Sequence, residues 1–109
     1  MSSTALNQAL DTPELLRLMT ALLTNVRVEC GCAVGSIHAD VLERFADGTR
    51  IRTTDIERIQ RYRGYWTFWT SSYSRYLIIS FDGSAGYMSF TNYVLLLLKG
   101  IYPAPTTRQ

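Results

Sequence analysis

Lysine, histidine and cysteine are almost missing from this 109-residue chain, which has one lysine (Lys99), one histidine (His38) and two cysteines (Cys30 and Cys32). Two cysteines one residue apart cannot found a disulfide scaffold and would strain a direct bridge, so reduced thiols are expected. Structural zinc takes four ligands, usually from two separated pairs, and Cys30, Cys32 and His38 supply only three. Two small buried side chains beside Gly31 are the plainer account. The same residues could form a nucleophile and base, a small hydrolase built on Cys32 or His38, but no partner group that would activate the thiol is recognisable. His38 reads better as a hydrogen-bonded histidine in a turn ahead of a strand.

Catalytic motifs are missing as well: there is no G-x-S-x-G, no phosphate-binding P-loop, no G-x-G-x-x-G and no H-E-x-x-H. The nine acids are scattered singly, and the nearest approach to a pair, Asp55 and Glu57, suits a helix N-terminus. A non-enzymatic protein without cofactor or metal is therefore expected. Long apolar runs are lacking too. The longest, Tyr93 to Leu98, is far below the roughly 20 residues that span a bilayer, so no contact with a membrane is expected. Met1 to Leu10 has neither the basic start nor the apolar stretch of a signal peptide, which predicts a cytoplasmic location.

What the chain does have is a globular composition, 47% hydrophobic and 18% charged, enough for one small core. The expected organisation is a flexible start over 1–10, a single domain over 11–102 and a disordered tail over 103–109. Net charge is only +2, but seven of the ten arginines fall between Arg44 and Arg75, against three acids there. Ten of the 13 aromatic residues fall between Tyr62 and Phe90. An arginine bias can follow from GC-rich coding. Its clustering with aromatics does not.

Along the chain, Asp11-Thr12-Pro13-Glu14 has the form of a helix start, and Leu15, Leu18, Met19, Leu22, Leu23 and Val26 recur at helical spacing, predicting an amphipathic helix over 13–26. Val26 to Ser36 reads as a short strand and a loop. A hairpin is expected next, Val41 to Phe45 against Thr49 to Thr53 around the turn Ala46-Asp47-Gly48. Thr54-Asp55-Ile56-Glu57 has capping-box form and reads as a short helix through Ile59 or as a bent strand. Trp66 to Thr70 and Arg75 to Phe81 alternate as a second hairpin, and pairing Thr70 with Arg75 sets Phe68 opposite Leu77 and Trp66 opposite Ile79. Asp82 to Gly86 reads as a turn, Tyr87 to Phe90 as a short strand, and 91–99 as a closing apolar helix. The sum is an α+β fold: an antiparallel meander of about four to five strands, with an N-terminal amphipathic helix and a C-terminal apolar helix packed on it.

That register places Tyr65, Trp69 and Tyr76 on one sheet face near Arg61, Arg63 and Arg75, with Tyr73 in the adjoining turn and Arg44, Arg50 and Arg52 on the first hairpin. Tryptophan, tyrosine and arginine are the residues enriched at protein-interface hot spots. They also make stacking platforms and phosphate contacts for single-stranded nucleic acid. No family motif accompanies them. Small arginine-rich domains without catalytic residues are common among short proteins of bacterial mobile elements and phages. The first expectation is thus an inhibitory or regulatory contact with a protein partner, such as a host defence complex. Nucleic-acid binding by the same surface comes second, and a homodimer is left open.

Overall fold

The computed structural model describes residues 4–100, which form three helices and five strands. In the stretch read as flexible, Thr4–Leu10 forms α1; Pro13–Leu18 forms α2. The strands are β1 (Ala21–Glu29), β2 (Cys32–His38), β3 (Arg50–Tyr62), β4 (Tyr65–Thr70) and β5 (Arg75–Ile78), followed by α3 (Gly83–Leu98). The class is the expected one: a meander whose consecutive strands pair antiparallel, with short helices before it and one long helix after it. The tail from residue 103 lies outside the described residues.

The sheet closes on itself into a barrel, in the order β1-β2-β3-β4-β5. Strands of a meander alternate in direction, so with an odd number the first and last run the same way. Closure therefore makes β1 and β5 a parallel pair, with Ala21 beside Tyr76 and Leu23 beside Ile78. A small barrel is strongly bent, and bulges supply the bends. The register shifts in β1 between Thr24 and Arg27, where Asn25 has a φ of 54°, and in β3 between Ile56 and Arg58. Gly35 faces the first bulge, where a Cβ would lie 2.9 Å from the Thr24 carbonyl oxygen.

Two apolar clusters lie on opposite sides of the barrel wall. Inside are Leu23, Val26, Ile37, Ile56, Phe68, Tyr76 and Ile78, joined by Phe90 and Tyr93 of α3. Outside, Ala9, Leu15 and Met19 cover Leu22 and Leu77, with Tyr62 and Tyr65 packed at the edge. α3 comes very close to β1, since a Cβ on Gly86 would sit 2.6 Å from the Val26 carbonyl oxygen. Ser89 Oγ accepts the Val28 amide at 2.9 Å, and Tyr93 donates to the Ile56 carbonyl at 3.1 Å.

Several sequence expectations need correction. The helix over 13–26 stops at Leu18, and Met19 is already extended. Residues 21–24 are strand buried on both sides, so Ala21, Leu22 and Leu23 run consecutively and, with Val26, satisfy a helical period without forming one. The hairpin of 41–45 with 49–53 is absent. Its turn exists, with Gly48 at a φ of 89°, but the Gly48 amide donates to Ile37 and Thr49 accepts from the Ile37 amide, so β2 pairs with β3 and 39–49 is an excursion between them. Tyr87 to Phe90 is helical rather than a strand, because Asp82 and Gly83 open α3 instead of a turn and Gly86 serves helix–strand approach. Thr54 to Ile59, read as helix or bent strand, is strand.

The β4–β5 register is displaced by one residue. Thr70 and Ser74 close a three-residue loop in which Tyr73 takes the left-handed position (φ 66°), so Trp69 pairs with Arg75 and Phe68 with Tyr76. A shift by one residue exchanges the faces of a whole strand. Tyr76 points inward, 3% exposed, and Leu77 points outward under the N-terminal helices.

Candidate nucleic-acid and protein interface

β4 and its neighbours set the outer face. Paired residues share a face, so Tyr65, Thr67 and Trp69 of β4 stand beside Tyr62, Gln60 and Arg58 of β3, and Trp69 also stands beside Arg75 of β5. The Trp69 ring is approached from both neighbouring strands: Arg58 Cζ lies 5.7 Å from its centroid and Arg75 Cζ lies 5.5 Å from it. Arg75 is equally close to the Tyr62 ring, at 5.5 Å, and Arg63 lies 5.6 Å from that same ring. The result is an alternating series, Arg58, Trp69, Arg75, Tyr62, Arg63. Each step is a cation–π contact, in which the ring's negative face attracts the guanidinium. Arg61 repeats the motif on the other side of the hairpin, 4.7 Å from Trp66, while donating to the Gly64 carbonyl.

The hairpin tip is built to hold this shape. Arg63 and Gly64 both have positive φ, 52° and 83°, the geometry of a two-residue type I′ turn. Asparagine or glycine is the usual occupant of the first position, so an arginine there is held at a steric cost. In β4, β5 pairs only with Trp66 to Trp69, so the tip from Tyr62 to Tyr65 stands beyond the end of β5.

None of Arg58, Arg61, Arg63 and Arg75 makes an ion pair among the described residues. Glu57 precedes Arg58 without pairing to it. Arg75 Nε is buried and has no acceptor, and its two Nη atoms have no hydrogen-bond partner and reach solvent. An unpaired buried donor in a native fold calls for an explanation.

The other candidate arginines are occupied. Arg52 donates to Glu29 Oε1 at 2.8 Å, Arg50 lies 3.9 Å from Asp82, and Arg27 joins both acids through its contacts with Glu29 and Asp82. The contact with Arg27 holds the Glu29 carboxyl below the usual range. Arg44 Nη2 bonds Asp40 at 3.1 Å and the Tyr76 hydroxyl at 3.2 Å. The Asp40 side chain is 1% exposed. Its burial alone would raise its pKa, but the Arg44 guanidinium and the amides of Arg44 and Leu42 outweigh that and hold the carboxyl below the usual range. This braces the 39–49 loop and leaves Val41, Leu42 and Phe45 exposed by 60%, 58% and 42%.

The structure thus brings Trp69, Arg63 and Arg75 together as expected of neighbours on one face, with Tyr65 half-buried at its edge and Tyr73 86% exposed in the adjoining turn. It removes Tyr76 to the interior. Arg44, Arg50 and Arg52 are tied into ion pairs. Sequence reasoning missed Arg58 and Tyr62. Read as strand, Arg58, Gln60 and Tyr62 alternate onto one face, but the capping-box pattern at Thr54 drew that segment toward a helix.

His38 Nε2 meets Thr24 Oγ1 at 3.0 Å. Burial, followed by the neighbouring Asp55 carboxylate, pushes the Cys32 thiol above its usual range, the reverse of an activated nucleophile. Among the described residues no cluster of three or more metal-ligating side chains occurs, and no helix is long and apolar enough to cross a membrane. No family model, curated protein or solved structure matches the chain.

Proposed function

We infer that this chain is a non-enzymatic binding module that engages an anionic macromolecular partner through the outer face of β3, β4 and β5. The alternation of unpaired guanidiniums with aromatic rings carries this reading. A guanidinium resting on a ring uses its plane for the ring and keeps its N–H edge for an acceptor. Ordering those side chains in advance lowers the entropy lost on binding. Retention on immobilised heparin tests it. The wild-type chain should elute at higher salt than a variant with Arg58, Arg63 and Arg75 changed to Gln, while Arg50→Gln with Arg52→Gln should elute near wild type. Equal loss from both variants would show that only total charge matters.

A second reading, an inhibitory or regulatory contact with a protein, is favoured by the 39–49 loop. Its polar groups are satisfied within the fold, Asp47 accepting the Ala39 amide and Asp40 those of Leu42 and Arg44. Val41, Leu42 and Phe45 are left facing out, with the Glu43 carboxylate exposed among them. Phe45→Asp should then abolish capture of that protein while leaving heparin retention unchanged; unchanged capture would rule the loop out.

A further inference from the structure

Building on the anionic-partner reading, we propose that the partner is single-stranded nucleic acid, held by bases stacked on the outer guanidinium planes and phosphates bonded to the guanidinium edges. The series ends in arginines. Arg58 and Arg63 are both exposed, and each has one ring contact and no ion pair, Arg63 spending only its Nε–H, on the Tyr62 hydroxyl at 3.3 Å. A guanidinium plane is a surface on which an unpaired base stacks, so a base added at either end continues the alternation already present. Arg75, between the two rings, offers its unpaired Nη edge at the middle of the series, where a phosphate oxygen completes a charge-assisted hydrogen bond.

Alternatives use less of this geometry. Carboxylates of an acidic protein would pair with the edges but leave the outer planes of Arg58 and Arg63 empty. Duplex DNA read by a helix finds little to use, because α3 has no charged residue in its 16 positions, α1 has no basic one, and α2 is six residues long with a single arginine, Arg17. Tyr73 adds a bare ring in the turn that joins the strand of Trp69 to that of Arg75.

The test uses fluorescence anisotropy of the full chain with four probes: an oligothymidylate of about 15 nucleotides, its abasic counterpart, a duplex of the same length, and polyglutamate. Oligothymidylate should bind at least about tenfold more tightly than each of the others, and weaken steeply between about 50 and 200 mM salt. Arg58→Lys keeps the charge and removes the plane. It should cost about tenfold on oligothymidylate, the scale of one lost stacking contact, and nothing on the abasic probe. Equal affinity for the abasic probe overturns the stacking proposal and leaves the anionic-partner reading standing. Tighter binding of duplex or of polyglutamate likewise overturns the single-stranded proposal. Failure to bind any polyanion, heparin included, overturns both.

Discussion

The arginines of β1 and the start of β3 and those of the end of β3, its hairpin tip and β5 share a side chain and differ in what they rest on. Arg27, Arg50 and Arg52 sit in a network with Glu29 and Asp82, so their charge is spent inside the molecule. Arg58, Arg63 and Arg75 rest on Trp69 and Tyr62, so they are positioned without being neutralised. An ion pair and a ring both fix a guanidinium in place. The ring leaves the Nη ends of these guanidiniums free for another molecule, although Arg63 Nε donates to the Tyr62 hydroxyl. Net charge, +2 for the chain, conceals this division entirely.

The largest effect should come from breaking the most buried of the ion pairs, that of Asp40 with Arg44. Asp40→Asn removes the charge that Arg44 and two loop amides bond, and should cost about 3 kcal/mol in urea unfolding, as for a buried pair with one partner lost. The same carboxyl sets a pH dependence. Its folded pKa is depressed, so its contribution is present above the ordinary carboxylate range and is lost as pH falls through the lowered folded value. The acid-side slope in stability should flatten in Asp40→Asn. An unchanged slope would remove Asp40 as its source.

In the ring-stacked set, Trp69→Ala frees Arg58 and Arg75 together. Oligothymidylate or heparin binding should weaken by about 2 kcal/mol, the scale of an interface hot spot. Full affinity in this variant would mean the rings do not prepare the arginines. Arg75→Lys sharpens the contrast, since an ammonium keeps the charge but has no planar group to share between the two rings. Isothermal titration should show a loss of about 1 kcal/mol; equivalence of the two residues would reduce the site to point charge. The smallest effect is expected at Glu29→Gln, a solvent-accessible network member. The melting temperature should barely move and polyanion binding should rise little, which a thermal melt and the heparin elution can both check.

Much of the fold class was legible because the β4 segment alternates and the last turns of α3, Tyr93 to Leu98, are apolar on every side. The failures share a physical origin in the closed barrel. β1 is buried on both sides, so Ala21, Leu22 and Leu23 run together and imitate a helix. Asp47-Gly48 does form a turn, yet its partner is Ile37 across an excursion that local pattern cannot show. At the site, Trp69 and Arg75 were readable as neighbours, whereas Tyr76 was placed outside by a register that ignored Tyr73 in a left-handed position. Nothing in sequence separates a guanidinium on a ring from one on a carboxylate. That division depends on which strands adjoin across the barrel.

The parallel seam between β1 and β5 carries a consequence for how the chain is made. Residues 21–23 leave the ribosome first among the strands, and their mates at 76–78 follow more than fifty positions later. Through that interval the first strand has a raw edge, rich in leucine, with nothing beside it but β2. Such distant pairing slows folding, and it invites the same edge of a sister chain on a crowded message. The short helices ahead of β1 cover Leu22 together with Leu77, so their shelter is complete only once the last strand has arrived. A nascent chain halted after β4 would be the most adhesive form this molecule ever takes.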